Sequence, residues 1–222
     1  MNERVLVIVD DAFEMSTLVA ALRLHDIDVI AEAKSESVGM NLLRRLQPDV
    51  VLLDMNVLGI SAVKIAVKMR KENQSIGIVI LTSCSDLRLM GESNDEVPAG
   101  AKILVKKSIV DFTVLCDAIR ESKKAAIEQH KVTWINGNTS FQDHGVATLM
   151  AHLTNTQAEV LRLVANGMTN AQIGRTRYVS EKSVEQVISR VAQELHVQPD
   201  QNKNMRVQLV GEYYRWLGAP HH

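Results

Sequence analysis

The chain has 222 residues, with 25 Lys and Arg against 26 Asp and Glu, 46% hydrophobic and 23% charged. That composition excludes a disordered or collagen-like chain, and the length suits one large domain or two small ones. A net charge of −1 speaks against a nucleic-acid binder only if the charge is evenly spread along the chain.

From Arg4 to about Glu128 short aliphatic runs alternate with amphipathic stretches. The runs are Val5–Val9, Asp28–Ala31, Val50–Leu53, Ile76–Leu81 and Ile103–Val105. Unbroken β-branched runs predict strands buried on both faces, as in a parallel sheet. Helical segments are expected at Glu14–Leu24, Ser37–Leu46, Ser61–Lys71 and Asp111–Glu128. The expected fold is therefore an α/β doubly wound five-stranded parallel sheet. Leu87–Pro98, with Gly91, Ser93, Asn94 and Pro98, predicts a short helix or mostly loop in place of a full fourth helix.

In such a sheet ligands bind at the carboxyl ends of the strands. Those ends carry Asp10-Asp11, Asp54-Met55-Asn56, Thr82-Ser83 and Lys106-Lys107. Convergent carboxylates repel one another unless a cation sits among them, and oxygen ligands suit Mg²⁺. A hydroxyl and an ammonium opposite would complete a cradle for a phosphoryl group.

With its VLVIVDD, PDVVLLDMN, VILTS and ILVKKS segments, residues 4 to about 128 resemble the receiver domain of two-component response regulators. The resemblance implies that Asp54 accepts phosphate from a sensor histidine kinase. It implies that Asp10, Asp11, Asp54 and the carbonyl of Asn56 hold Mg²⁺, and that Thr82 follows the phosphoryl group. Lys106, directly after three aliphatic residues, is the favoured phosphate-site lysine; spacing from Gly100 in some relatives selects Lys107. The family pattern is broken at Leu58-Gly59, where a proline is usual at 58, and at Ile103 (or Leu104), where a switch aromatic is usual. The degraded fourth helix is a third break.

Between about His130 and His152 periodicity is lost around Asn136-Gly137-Asn138, and residues 129–152 are expected to form a linker. Trp134 and Phe141 could dock on a neighbouring domain or pack on the preceding helix.

From Leu153 helical signals take over, giving a small all-α, four-helix second domain over 153–218. Thr154 or Thr156 caps a helix striped by Val160, Leu161 and Val164, ended by Asn166-Gly167. Thr169 caps a second helix, Asn170–Arg177. Ser180 opens a third over 181–195, with Val184, Val187, Ile188, Val191 and Leu195 inward. The last runs from about Asn202 to Leu217. Short helices joined by tight turns form a helix-turn-helix, which can place a helix in the DNA major groove.

The stretch LTNTQAEVLRLVANGMTNAQIGRTRYVSEKSVEQVISRVAQELHV resembles the LuxR-type helix-turn-helix domain, and the two halves together resemble regulators of the NarL/FixJ type. The resemblance makes 181–195 the recognition helix, with Lys182 and Ser183 near phosphates at its start. It places Glu185, Gln186 and Ser189 towards base edges and Arg190, Arg175 and Arg177 towards phosphates. Glu185, Val187 and Glu194 replace residues that are usually basic or histidine. An acid there accepts from cytosine N4 but repels backbone phosphate, so weaker non-specific binding and an altered recognition sequence are expected. The last helix is apolar on more than one side, and in the family this is a usual dimerisation surface, so a homodimer is expected.

Cys84 and Cys116 have no zinc spacing, and a reducing cytoplasm is the default for them. The opening MNERVLVIVDD carries charge where a signal peptide needs an apolar stretch, and no membrane association is expected. Residues 1–130 hold 16 basic and 19 acidic groups and the remainder 9 and 7, so a net of −3 is joined to a net of +2. The leading reading is a cytoplasmic, DNA-binding transcriptional regulator switched by phosphate at Asp54, with RNA polymerase as a further candidate partner. Two alternatives are a regulator controlled by dimerisation or ligand, and a helical protein-interaction module that does not bind DNA. A dedicated hydrolase is disfavoured because Asp54 is followed by Asn56 where aspartate-nucleophile phosphatases have a second acid. No catalytic residue is expected beyond self-phosphorylation and slow autodephosphorylation. The terminal His221-His222 give no basis for a metal site.

Overall fold

A computed structural model describes residues 3–109, 111–135, 152–198 and 203–217. The chain divides into two compact units, Met1–Ser83 with Asn94–Thr139 and Cys84–Ser93 with Ser140–His222. Phe141 and His221-His222 lie outside the described residues.

The first unit contains β1 (Arg4–Ile8), α1 (Ala12–Leu24), β2 (Asp28–Ala33), α2 (Glu36–Leu46), β3 (Val50–Asp54), β4 (Asn56–Val57), β5 (Ile60–Ser61), α3 (Ala62–Glu72), β6 (Gly77–Thr82), β7 (Lys102–Val105), α4 (Thr113–Ile127) and β8 (Thr133–Ile135). The main sheet runs β2-β1-β3-β6-β7-β8 and every pairing in it is parallel. It therefore has six strands where five were expected. The extra strand, β8, comes from the stretch read as linker and pairs Ile103 with Trp134 and Leu104 with Ile135. Three residues are too short to show a period of two, and their extended form comes from the neighbouring strand rather than from their own pattern.

Both faces of this sheet are covered, as its continuous apolar strands require. Val5, Val7, Val9, Leu52 and Leu104 pack with Met15, Leu18 and Leu22 of α1 and with Leu115, Cys116 and Ile119 of α4. On the other face α2 lies so close that a Cβ at Gly39 would stand 2.4 Å from Ile8 Cδ1. Side-chain caps start the helices where the sequence offers them. Asp11 accepts from the backbone N–H of Glu14, Ser35 from that of Val38 and Ser61 from that of Val63. The expected loss of the fourth helix is seen, with two short 3₁₀ turns at Leu87–Met90 and Asn94–Glu96.

In the second unit the helices are α5 (Asn155–Ala165), α6 (Asn170–Arg177), α7 (Glu181–Glu194) and α8 (Met205–Trp216). Thr154 and Thr169 each form a reciprocal capping box, with Gln157 and Gln172, and Ser180 caps α7. Thr154, not Thr156, is thus the cap of α5. The core joins Val160, Leu161, Val164, Ile173, Val184, Ile188, Val191, Leu209, Tyr213 and Trp216. It also includes Cys84 and Leu89. Tyr213 donates its hydroxyl to the Leu89 carbonyl at 2.8 Å, and Arg88 Nη1 donates to the Leu153 carbonyl at 2.7 Å. Ten residues that follow β6 in sequence are therefore built into the helical unit, a long-range pairing that no local pattern reveals.

Candidate functional site

The strand order changes direction between β1 and β3, and their carboxyl ends carry Asp10 and Asp54. That is the crevice where an open α/β sheet binds its ligand. Asp54 closes β3 with its side chain 16% exposed, and its carboxylate Oδ1 lies 2.6 Å from Lys106 Nζ. Lys106 begins the 3₁₀ turn after β7, while Lys107 beside it is exposed. The lysine that reaches Asp54 is therefore Lys106. Thr82 is the buried last residue of β6, in register with Val105, and the preceding Leu81 is in register with Asp54. Carboxylate, hydroxyl and ammonium thus stand on the ends of three adjacent strands.

The acidic pair is held by backbone donors. Asp11 Oδ1 accepts from Glu14 N at 2.7 Å, and Asp10 Oδ2 accepts from Leu58 N at 2.8 Å. Asn56 is exposed and opens the β4–β5 hairpin, paired with Ser61. Leu58 (φ 50°) and Gly59 (φ 80°) form the two-residue turn of that hairpin, and positive φ at both positions is the type I′ pattern. A proline at 58 could supply neither this φ nor the N–H that Asp10 accepts. The departure from the expected proline is thus part of how Asp10 is fixed. At the other altered position Ile103 is fully buried between Ile80 and Trp134 in the sheet register.

Lys106 has a second anionic partner that sequence reasoning missed. Glu14, in the first turn of α1, places Oε1 2.6 Å from Nζ. Burial pulls the Lys106 pKa down, but the hydrogen bonds and charges of Asp54 and Glu14 outweigh it and raise it above the ordinary lysine value. The only signal in the sequence was an acid one turn past Asp11, and that reads as an ordinary helix-dipole partner.

Asp10, Asp11 and Asp54 supply only oxygen donors, and Asp10 and Asp11 each give one oxygen to a backbone N–H. Among the described residues no three His, Cys, Asp or Glu side chains are gathered into a ready metal cluster. Mg²⁺ needs no such cage, because it binds through one or two carboxylates and keeps several waters. The donor chemistry fits it.

In the second unit α7 buries Val184, Ile188, Val191 and Ala192 and exposes Lys182, Glu185, Gln186, Ser189 and Arg190. Glu181 and Glu194 are exposed as well, so acids stand at both ends of this helix. Ser183 is committed to the cap, its N–H donating to Ser180 Oγ and its hydroxyl 2.8 Å from that oxygen. Ser189 donates its hydroxyl to the Glu185 carbonyl at 2.9 Å. Arg175 is exposed, whereas the Arg177 guanidinium is engaged by Glu159 and Thr156 Oγ1 within the helical unit. Arg177 was expected among the phosphate contacts and is placed as a brace between α6 and α5. Tyr178, 96% exposed in the left-handed conformation, ends α6 and enters the turn before α7. On α8, Leu209, Tyr213 and Trp216 face the core while Val207 and Tyr214 stay exposed. Among the described residues no helix is long and apolar enough to cross a membrane.

Comparison with known proteins finds two families along the chain. Residues 5–120 match the response regulator receiver domain, and residues 151–203 match the bacterial regulatory proteins of the luxR family. The transcriptional regulatory protein LiaR of Bacillus subtilis is 32% identical over 203 residues, covering 87% of this chain and 91% of LiaR. The transcriptional regulatory protein DegU of Brevibacillus brevis is 25% identical, covering 96% of each chain. RcsB of Salmonella enterica serovar Typhimurium, solved bound to a promoter in the presence of the phosphomimetic BeF₃⁻, superposes with a TM-score of 0.57 at 18% identity. That alignment covers 96% of this chain and 98% of RcsB, and supports the fold.

Proposed function

The chain belongs to the two-component response regulators that join a receiver to a LuxR-type DNA-binding domain, and from that premise we propose that phosphorylation of Asp54 controls its binding to DNA. The observation that carries this reading is the Lys106 ammonium on the Asp54 carboxylate, with Thr82 ending the strand between them. A carboxylate oxygen of Asp54 would attack the phosphorus of a phosphohistidine. The P–N bond breaks, the imidazole leaves, and an acyl phosphate remains on Asp54. Mg²⁺ held by Asp10, Asp11, Asp54 and the Asn56 carbonyl would neutralise charge on the phosphoryl oxygens. Lys106 does the same from the chain's own side, and the Thr82 hydroxyl is the group placed to follow the new phosphate. The chain itself is no dedicated catalyst in this reading; self-phosphorylation from a phosphodonor and slow autodephosphorylation are the reactions that it would perform on itself.

On DNA, Lys182, Arg175 and Arg190 meet phosphates, while Glu185, Gln186 and Ser189 face base edges. The exposed Val207 and Tyr214 of α8 suit pairing with a second copy, which would strengthen a weak single-copy interaction through avidity. A sensor histidine kinase, DNA and a second copy are the partners of this reading, in a cytoplasmic setting. The division it uses is a receiver over 1–128 less residues 84–93, a connecting stretch over 129–152 that contributes β8, and a reader over 153–218 together with residues 84–93.

The test is incubation of the full chain with phosphoramidate and Mg²⁺, read by intact mass. One phosphoryl adduct, absent from Asp54→Ala, is the expected result. No adduct, or one that survives Asp54→Ala, overturns the phosphate switch. The DNA part is tested on the full chain rather than on an isolated reader, because Cys84 and Leu89 belong to the helical core. Retention of genomic fragments at low salt is expected, and failure to retain any favours a protein-interaction module.

A further inference from the structure

Two carboxylates share one ammonium at the receiver edge. Lys106 Nζ lies 2.6 Å from Asp54 Oδ1 and 2.6 Å from Glu14 Oε1, so those oxygens are at most twice that distance apart. Glu14 is held there by its backbone, whose N–H donates to Asp11 Oδ1 in the cap of α1. The Lys106 side chain is 27% exposed and that of Asp54 16%, which limits the water available to screen the three charges.

We infer that Glu14 is a positioning residue that holds Lys106 and competes with the incoming phosphoryl group for its ammonium. This deepens the phosphoacceptor reading of Asp54 and rests on it. In the unmodified chain Glu14 keeps Lys106 at the site. When a phosphoryl group arrives on Asp54, the single charge of the carboxylate is replaced by the roughly two charges of an acyl phosphate, a net gain of about one negative charge in the same space. Lys106 must then turn one of its three donors to the phosphoryl oxygens while Glu14 still draws on it. The Glu14 carboxylate also repels the phosphoryl oxygens directly. Glu14 therefore sets the threshold for phosphorylation by disfavouring the occupied state.

The experiment titrates beryllofluoride, with Mg²⁺, into the full-length wild-type, Glu14→Gln and Glu14→Ala chains. Binding is followed by the ¹⁹F resonances of protein-bound fluoride. Both variants should bind about three- to tenfold more tightly than wild type at low salt, the range expected for removing one partly exposed charge. The gap should narrow as ionic strength rises from about 0.05 to 0.5 M, because screening weakens a charge effect and leaves a packing effect unchanged. Equal or weaker binding by the variants overturns the role of Glu14, and so does a gain that salt does not alter. Absence of bound fluoride in all three chains overturns the phosphoacceptor reading itself, and this inference with it.

Discussion

The carboxylate edge of the sheet and the exposed face of α7 handle charge in opposite ways. At the edge the acids are committed within the fold, Asp54 and Glu14 to Lys106, Asp10 to the Leu58 N–H and Asp11 to the cap of α1. On α7 the Lys182, Glu185 and Arg190 side chains project to solvent from a helix whose inner stripe does the packing. A site of the first kind depends on backbone geometry, so small conformational changes should be felt strongly. One of the second kind depends on the sum of charges, so substitutions should change binding while leaving the fold intact.

The largest effect that would break this contrast is expected at Leu58→Pro. Proline cannot adopt φ 50° and has no N–H for Asp10, so a loss of about 2–3 kcal/mol in urea unfolding is expected. Leu58→Gly should instead be neutral or stabilising by up to about 1 kcal/mol, because Leu58 is exposed and its strain is relieved. If both variants behaved like wild type, the turn would not be what fixes Asp10.

Tyr213→Phe comes next. It leaves the Leu89 carbonyl in a buried place without its hydroxyl donor, at a cost of about 1–2 kcal/mol to the helical unit, measured by chemical denaturation. Thr154→Ala, which removes one half of a capping box, should cost about 1 kcal/mol. Glu185→Lys should leave stability within about 0.5 kcal/mol of wild type. It should tighten non-specific DNA binding and steepen the salt slope by about one unit, read by fluorescence anisotropy at several salt concentrations. An unchanged affinity and slope would remove position 185 from the DNA face.

The pH responses of the two regions sharpen the same contrast. The Lys106 pKa is raised on folding, so its stabilising contribution is present below the ordinary lysine value and is lost only as pH rises through the higher folded value. The stability difference between wild type and Lys106→Met should therefore hold from neutral pH to about pH 10 and vanish beyond it. In the helical unit burial pushes the Cys84 thiol up to about 11 from an ordinary 9. The unfolded chain then loses this proton first, so stability falls as pH rises through that window. At neutral pH the thiol should stay unmodified by iodoacetamide, checked by mass spectrometry.

Much of this was legible in the sequence because it is local. Unbroken runs such as Val50–Leu53 marked buried strands, and Thr169 and Ser180 marked helix starts that the structure reproduces. The acids at strand ends and Lys106 followed from the rule that strand termini form the ligand edge. What was missed depends on distant parts of the chain. β8 is extended because β7 lies beside it, and Glu14 matters because a lysine 92 positions later reaches it. Leu58 has the sequence of a broken motif, yet its amide supports Asp10 across 48 positions.

The placement of residues 84–93 in the helical unit also bears on how the protein is made. During synthesis Cys84 and Leu89 leave the ribosome well before α5 to α8, their partners in the core. The Tyr213 hydroxyl that meets Leu89 is 124 positions further along. Until that distance is closed, a strip of apolar side chains has nothing to cover it, and contacts of such separation form slowly because the intervening chain must first be ordered. The nascent chain is therefore most open to aggregation, and to capture by a chaperone, after the sheet has formed and before α8 arrives.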